Sequence, residues 1–180
     1  MTPDNSLPPY SYVPGRFPHP VIDPAGHSYG QQPQSVAPLD PARWQQSREF
    51  CHALRLFDAG YYWEAHEAWE ALWIAAGRTG PVATALKGLI KLAAAGVKAR
   101  EGNAAGVERH ARRAAELFRA ALSERCSARR QLPSPWAGLH LPVLAVMADA
   151  IAASPDEVLD ADSSAVKVVL PLRLSGSDGT

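Results

Sequence analysis

Cysteine is scarce in this sequence of 180 residues, which contains only Cys51 and Cys126. Two cysteines so far apart form neither a zinc knuckle nor a disulfide framework, and we expect both to be small core residues in a reducing cytoplasm. The sequence also lacks an N-terminal apolar run with a basic flank, and it lacks an apolar stretch long enough to span a bilayer. We therefore predict no secretory signal and no membrane partner.

Net charge is absent as well, because eighteen Lys and Arg balance eighteen Asp and Glu. The chain as a whole has no electrostatic attraction to nucleic acid, and we do not predict nucleic acid as a partner. The balance is uneven, since residues 42–130 contain fifteen basic and nine acidic residues, whereas residues 132–180 contain two and six. No glycine-rich phosphate loop and no Ser-His-Asp or Cys-His arrangement can be recognised, so nucleotide binding and nucleophilic catalysis have no motif to support them.

Proline, in contrast, is abundant at one end of the chain, where residues 1–41 contain ten of the sixteen prolines. Proline interrupts helices, so we interpret residues 1–40 as a proline-rich extended arm. Disordered tails are usually poor in aromatic residues, but this arm contains several, and we expect part of it to lie across the folded body. Its histidines, His19 and His27, are expected to be ordinary surface residues, with a lid over a site as the alternative.

Residues 41–130 have the periodicity of amphipathic helices joined by short connections, and we interpret them as a core helical bundle. Helix start and stop signals occur at Asp40, Gly60, Gly77, Pro81, Gly102 and Asn103. Residues 131–180 are predicted to contain a loop, a short helix over Leu141–Ala153, and an extended acidic segment that packs on the bundle. The predicted fold class is all-α, an antiparallel helical bundle of about five helices with a proline-rich extended N-terminal arm.

The second predicted helix contains polar residues within an aromatic stripe, in the stretch YYWEAHEAWEALW. At about 100° per residue, His66 and Glu70 lie in the middle of the stripe, and Glu64 and Glu67 fall towards its flank. In the fourth predicted helix, His110 lies on the apolar face. We therefore predict that His66, Glu70 and His110 point into the bundle, where they could converge.

Two interpretations of this cluster stay open, and the first is a metal site. Imidazole and carboxylate are normal ligands of zinc, manganese and iron, so His66, Glu70 and His110 could hold a divalent transition metal. Glu67 would then serve as the general base of a metal-dependent hydrolase, acting on water bound to the ion. An unknown small-molecule ligand or substrate would occupy a pocket lined by Tyr62, Trp63, Glu64, Trp73 and Lys91.

The second interpretation is a metal-free polar network in a non-catalytic scaffold or binding module. A buried glutamate needs a partner, which His66 can supply to Glu70, and the indole groups of the same helix need acceptors. Glu70 also stands where the zinc signature HExxH has its second histidine. The spacing alone favours this metal-free interpretation, and a homo-oligomer is compatible with either.

The stretches FDAGYYWEAHEAWEALW and ALKGLIKLAAAGVKAREGNAAGVERHARRAAEL are similar to the family catalogued as domain of unknown function number 309. The resemblance therefore implies a small, all-helical protein of the kind found in bacteria and archaea. Its His-x-x-x-Glu-x-x-Trp motif falls on His66, Glu70 and Trp73, and the similarity covers residues 47–122. Lys91 stands where many relatives would have glutamine. The resemblance implies a helical bundle with a site at His66 and Glu70, and it implies no established reaction.

Overall fold

The computed structural model describes residues 7–32, 35–123 and 135–175. Its α-helices are α1 (Arg48–Asp58), α2 (Tyr62–Ala75), α3 (Gly80–Glu101), α4 (Ala104–Ser123) and α5 (Leu141–Ala153). Short 3-10 helices cover Pro41–Gln46 and Pro155–Val158. Each α-helix packs against the next one in the chain, and the described ranges contain no β-strand. The predicted all-α bundle is therefore confirmed.

The first predicted helix is divided into two parts by a second capping residue. Asp40 caps the 3-10 helix, because its carboxylate accepts a hydrogen bond from the Ala42 N–H at 3.0 Å. Ser47 follows with extended backbone, and its hydroxyl accepts a hydrogen bond from the Phe50 N–H at 3.2 Å. The prediction of one continuous helix is therefore wrong here, because each cap starts a helix of its own.

The central helix of the bundle is α3, which is buried on most of its faces. Two glycines permit this packing: a Cβ on Gly88 would lie 2.5 Å from the Phe118 ring, and one on Gly96 would lie 2.5 Å from the Tyr62 ring. Contrary to the sequence analysis, α3 is long and apolar enough to cross a membrane by length and composition alone. Because 61% of its most apolar window is buried in the protein, α3 has the character of a core helix.

Extended segments from both ends of the chain pack against α2. The Tyr61 hydroxyl donates a hydrogen bond to the Pro8 carbonyl at 2.8 Å. The Tyr62 hydroxyl accepts hydrogen bonds from the N–H groups of Val169 and Leu170 at 2.9 and 3.0 Å. The arm and the C-terminal segment are therefore attached to the same helix that contains the predicted site.

The two segments also contact each other. The Ser11 N–H donates a hydrogen bond to the Ala165 carbonyl at 2.9 Å. The division of the chain at residues 40 and 130 stays a prediction. The end of the predicted core segment, the start of the predicted loop and Cys126 fall within residues 124–134, which lie outside the described residues.

Candidate functional site

His66 and Glu70 lie at the edge of the buried face of α2 rather than in the middle of it. The core contacts of the helix are made by Tyr62, Ala65, Trp69 and Leu72. His66 and Glu70 lie beside this face and are half-buried, with 27% of the His66 side chain exposed. The prediction that both point into the core is wrong, because Tyr62, Trp69 and Leu72 occupy the core contact. The aromatic stripe continues beyond it to the surface, where Trp63 and Trp73 are only half-buried.

His66, Glu67 and Glu70 form a cluster of candidate metal ligands on this edge, which we call the α2 cluster. One ligand atom from each residue lies within 4.8 Å of those from the other two. Nδ1 of His66 is 3.3 Å from Oε1 of Glu67, whose side chain is 45% exposed. Among the described residues, nothing forms a hydrogen bond or an ion pair with Glu70. The α2 cluster therefore has unused lone pairs and is open to solvent.

His110, predicted as a metal ligand on α4, lies outside the compact group of ligand atoms. Burial lowers the pKa of His110 from 6.5 to about 4, with further contributions from Lys91, Arg109, Lys98 and His66. Because Lys91 and His66 both act on His110, helices α2, α3 and α4 bring polar residues into one region. His110 is neutral at neutral pH, and neutral imidazole is the form that binds metal ions.

Trp73 lies at the α3 side of the α2 cluster, between two cations. Nζ of Lys87 is 5.4 Å from the centroid of its ring, and Cζ of Arg78 is 5.7 Å from it. The indole N–H groups of Trp69 and Trp73 are buried and have no hydrogen-bond partner within the described part of the chain. The metal-free interpretation offered Glu70 as one possible acceptor for these groups, and neither of them donates to it.

The buried carboxylate of α2 is Glu64, which the sequence analysis placed on the flank. Its side chain is 7% exposed and holds the N-terminal arm. The Ser11 hydroxyl donates to Oε2 at 3.1 Å, the Tyr12 N–H donates to Oε1 at 2.9 Å, and Nε2 of His27 lies 3.2 Å from Oε1. Glu64 is thus saturated by its contacts with the arm, and its role is structural.

The arm places both of its histidines against α2. His27 is 8% exposed because it pairs with Glu64, and the ring of His19 lies 5.5 Å from the ring of Trp63. The expectation that His27 is an ordinary surface residue is wrong. A helical wheel of α2 describes that helix alone, so it could not show that His27 of the arm pairs with Glu64. The aromatic residues of the arm were the signal in the sequence that the arm packs against the bundle. One of them, Tyr10, packs on His27 with 4.8 Å between the ring centroids.

A surface cleft of about 260 Å³ lies where the arm meets α1 and α2. Two residues of the predicted pocket, Trp63 and Glu64, line this cleft, as does His52 of α1. Burial, followed by the charge of Arg55, lowers the pKa of His52. Glu67 also lines the cleft and belongs to the α2 cluster, so the cleft ends at the cluster.

The other residues of the predicted pocket lie on different sides of α2. Tyr62 is buried in the core, and its hydroxyl is used by the C-terminal segment. Trp73 and Lys91 are half-buried on the α3 side. Among the described residues, Lys91 has no ion-pair partner. Tyr62, Trp73 and Lys91 therefore do not line the cleft described above, and Lys91 is the one whose charge acts on His110.

Fold and site together define a small all-helical bundle in which one edge of the second helix presents a histidine and two glutamates. Residues 50–110 match the family model described as Domain of unknown function (DUF309), and the resemblance seen in the sequence is confirmed for this segment. The matched segment contains all four residues predicted as metal ligands or general base. Neither the curated proteins nor the solved structures contain a significant match to the chain.

Proposed function

We propose that this protein is a metal-dependent hydrolase of a small molecule, with a divalent transition metal held by the α2 cluster. The observation that carries the proposal is the approach of one histidine nitrogen and two carboxylate oxygens to within 4.8 Å of one another. Zinc, manganese and iron accept this combination of ligands. A reducing cytoplasm is the proposed location, in which Cys51 is a free thiol.

The contacts of the α2 cluster support a ligand site over a structural network. A structural network in a protein interior is buried and has its polar groups satisfied. The Glu67 side chain is 45% exposed, and Glu70 has no partner within the described ranges. Their negative charges lie close together, which is unfavourable without a cation between them. A bound metal ion relieves this repulsion and uses the free lone pairs.

Residue roles follow from position. His66 and Glu70 are proposed as the primary ligands, since they lie one helical turn apart on the same edge of α2. Glu67 is proposed as the third ligand, or as the acceptor of a proton from water at the ion, because its oxygen lies among the ligand atoms. His110 is proposed as a further ligand from α4. A metal ion in such a site polarises bound water and lowers its pKa.

Metal binding is tested on protein purified without a histidine tag. We expect about one equivalent of zinc or manganese to bind in a calorimetric titration, and His66→Ala or Glu70→Ala to abolish binding. His52→Ala is the matched control, because His52 is a half-buried histidine of the adjacent helix outside the cluster. Uptake of less than about a tenth of an equivalent by the natural sequence would overturn the proposal.

Hydrolysis is tested separately, with the metal-loaded protein and chromogenic ester and phosphoester substrates. We expect turnover that disappears on metal removal and returns when the ion is added back. Glu67→Gln distinguishes the two roles of Glu67: loss of metal indicates a ligand, and loss of turnover alone indicates a proton acceptor. Stoichiometric metal binding without any turnover would instead identify a non-catalytic binding module.

A further inference from the structure

Two half-buried lysines on the α3 side of the α2 cluster, Lys87 and Lys91, form no ion pair among the described residues, whereas two arginines of α4 do. On the outer face of α4, Arg112 pairs with Glu108 at 2.6 Å and Arg113 pairs with Glu116 at 2.7 Å. Lys91, in contrast, is half-buried on α3 and forms no ion pair within the described part of the chain. A positive charge without a counter-ion at the edge of a proposed ligand site attracts an anion.

Further cations surround the same position. Lys87, one helical turn before Lys91, lies over the face of the Trp73 ring, and Arg78 lies over the same ring. Two other cations of α3 have carboxylate partners, because Lys98 pairs with Glu101 at 2.7 Å and Arg100 lies 3.7 Å from Asp162. Within the described ranges, the positive charge of α3 without such a partner is therefore that of Lys91 and Lys87, and Lys87 contacts Trp73 at the end of α2 that contains Glu70.

The other titratable groups that face this position do not cancel its charge. The carboxylates of the region are Glu67 and Glu70, which the proposed metal ion would neutralise. His110 is on the third side, and its pKa is lowered by burial and by the field of Lys91. Once the ion is bound, Lys91 and Lys87 are left without a counter-charge within the described part of the chain.

We propose that the substrate of the α2 cluster carries a phosphate or carboxylate group, which binds between the metal ion and Lys91. The inference rests on the proposed function and names its class of substrate. An ammonium group on a flexible chain is a common binder of phosphate as a point charge. An oxyanion can bridge a metal ion and a lysine because it has several acceptor atoms. Lys87, on the preceding turn of α3, adds long-range electrostatic attraction for the same anion.

The test measures binding of methylphosphonate and of acetate to the zinc-loaded protein by calorimetry. Methylphosphonate has the charged group without a bond that the protein can hydrolyse. We expect at least one of the two probes to bind, and Lys91→Gln to weaken that binding by about tenfold, since a unit charge is removed at short distance. Zinc binding is measured separately in this variant and is expected to be retained, because Lys91 is not a proposed metal ligand and the loss of its positive charge does not oppose a cation. Arg112→Gln is the control, because Arg112 is paired and lies on the outer face of α4.

Each outcome decides one of the two proposals. Equal probe binding by the natural sequence and Lys91→Gln, or no binding of either probe, overturns the anion site and leaves the metal site standing. Lys91-dependent probe binding in a protein that takes up no zinc overturns the metal site and leaves the anion site standing. Preference for methylphosphonate over acetate assigns the substrate to phosphate esters, and the reverse preference assigns it to carboxylates.

Discussion

Two glutamates of α2, Glu64 and Glu70, show how different one residue type can be within two turns of one helix. Glu64 is 7% exposed, and Ser11, Tyr12 and His27 of the arm occupy its oxygens. Glu70 is half-buried beside His66 and Glu67 and is unpaired within the described residues. The difference lies in what covers each one, since the arm covers the first and no described segment forms a polar contact with the second.

The comparison separates structural polar groups from functional ones. A buried carboxylate stays charged at tolerable cost only when hydrogen bonds replace its hydration, as at Glu64. A partly solvated carboxylate can remain unpaired, and it is then available for an ion or a ligand. Saturation, rather than residue type or helical position, therefore separates the end of α2 that is attached to the arm from the end that we propose as a metal site. The predictions below test this distinction.

The largest expected effect is on stability at the saturated end. Glu64→Ala removes the acceptor of three hydrogen bonds and leaves their donors in a buried contact. We expect the free energy of unfolding in urea to fall by about 3 kcal/mol, whereas Glu70→Ala changes it by less than about 1 kcal/mol. If Glu64→Ala does not fold, Glu64→Gln replaces it, with a smaller loss. Equal losses at both positions would remove the distinction.

The second prediction concerns metal at the unsaturated end. Zinc at about a hundred times its dissociation constant should raise the free energy of unfolding by about 2.7 kcal/mol, because only the folded chain brings the ligands together. The gain should vanish in His66→Ala and persist in His52→Ala. Thermal unfolding with and without zinc provides the measurement. A similar gain in all three proteins would assign the zinc to another site.

A third, smaller effect comes from the attachment of the arm. Tyr61→Phe removes the hydrogen bond from the Tyr61 hydroxyl to the Pro8 carbonyl and leaves the ring in place. We expect a loss of about 1 kcal/mol in the free energy of unfolding. Tyr29→Phe is the control, because Tyr29 is 54% exposed and should change nothing measurable. An unaltered Tyr61→Phe protein would mean that this contact does not stabilise the arm.

The smallest expected effect is a change in the titration of His110 in the metal-free protein. Its imidazole should titrate at about 4, and Lys91→Gln should raise that midpoint, because a neighbouring positive charge is lost. Since the folded pKa lies below the unfolded value of 6.5, this group makes stability fall as pH drops from 6.5 to about 4. Imidazole NMR signals report the midpoint directly, and a midpoint near 6.5 would contradict the description of this region.

Local signals in the sequence determined the architecture of this protein. Asp40, Gly60, Gly102 and Asn103 stand at helix ends because their effects are exerted on adjacent backbone groups, as when the Asn103 side chain accepts from the Gly106 N–H at 2.8 Å. The motif that contains His66 and Glu70 also located the candidate ligands, since spacing along one helix decides which residues share an edge. Glu67 joined them because it lies next to His66 in the chain.

Only the tertiary structure decided which carboxylate is buried and which is free. Burial of Glu64 depends on Ser11, Tyr12 and His27, which precede it by more than thirty positions and have no periodic relation to α2. The half-exposure of His66, the lowered pKa of His110 and the lack of an ion pair for Lys91 among the described residues likewise depend on how α2, α3 and α4 approach one another. Solvation and electrostatic fields are properties of the space around a side chain, and the packing of distant segments sets them.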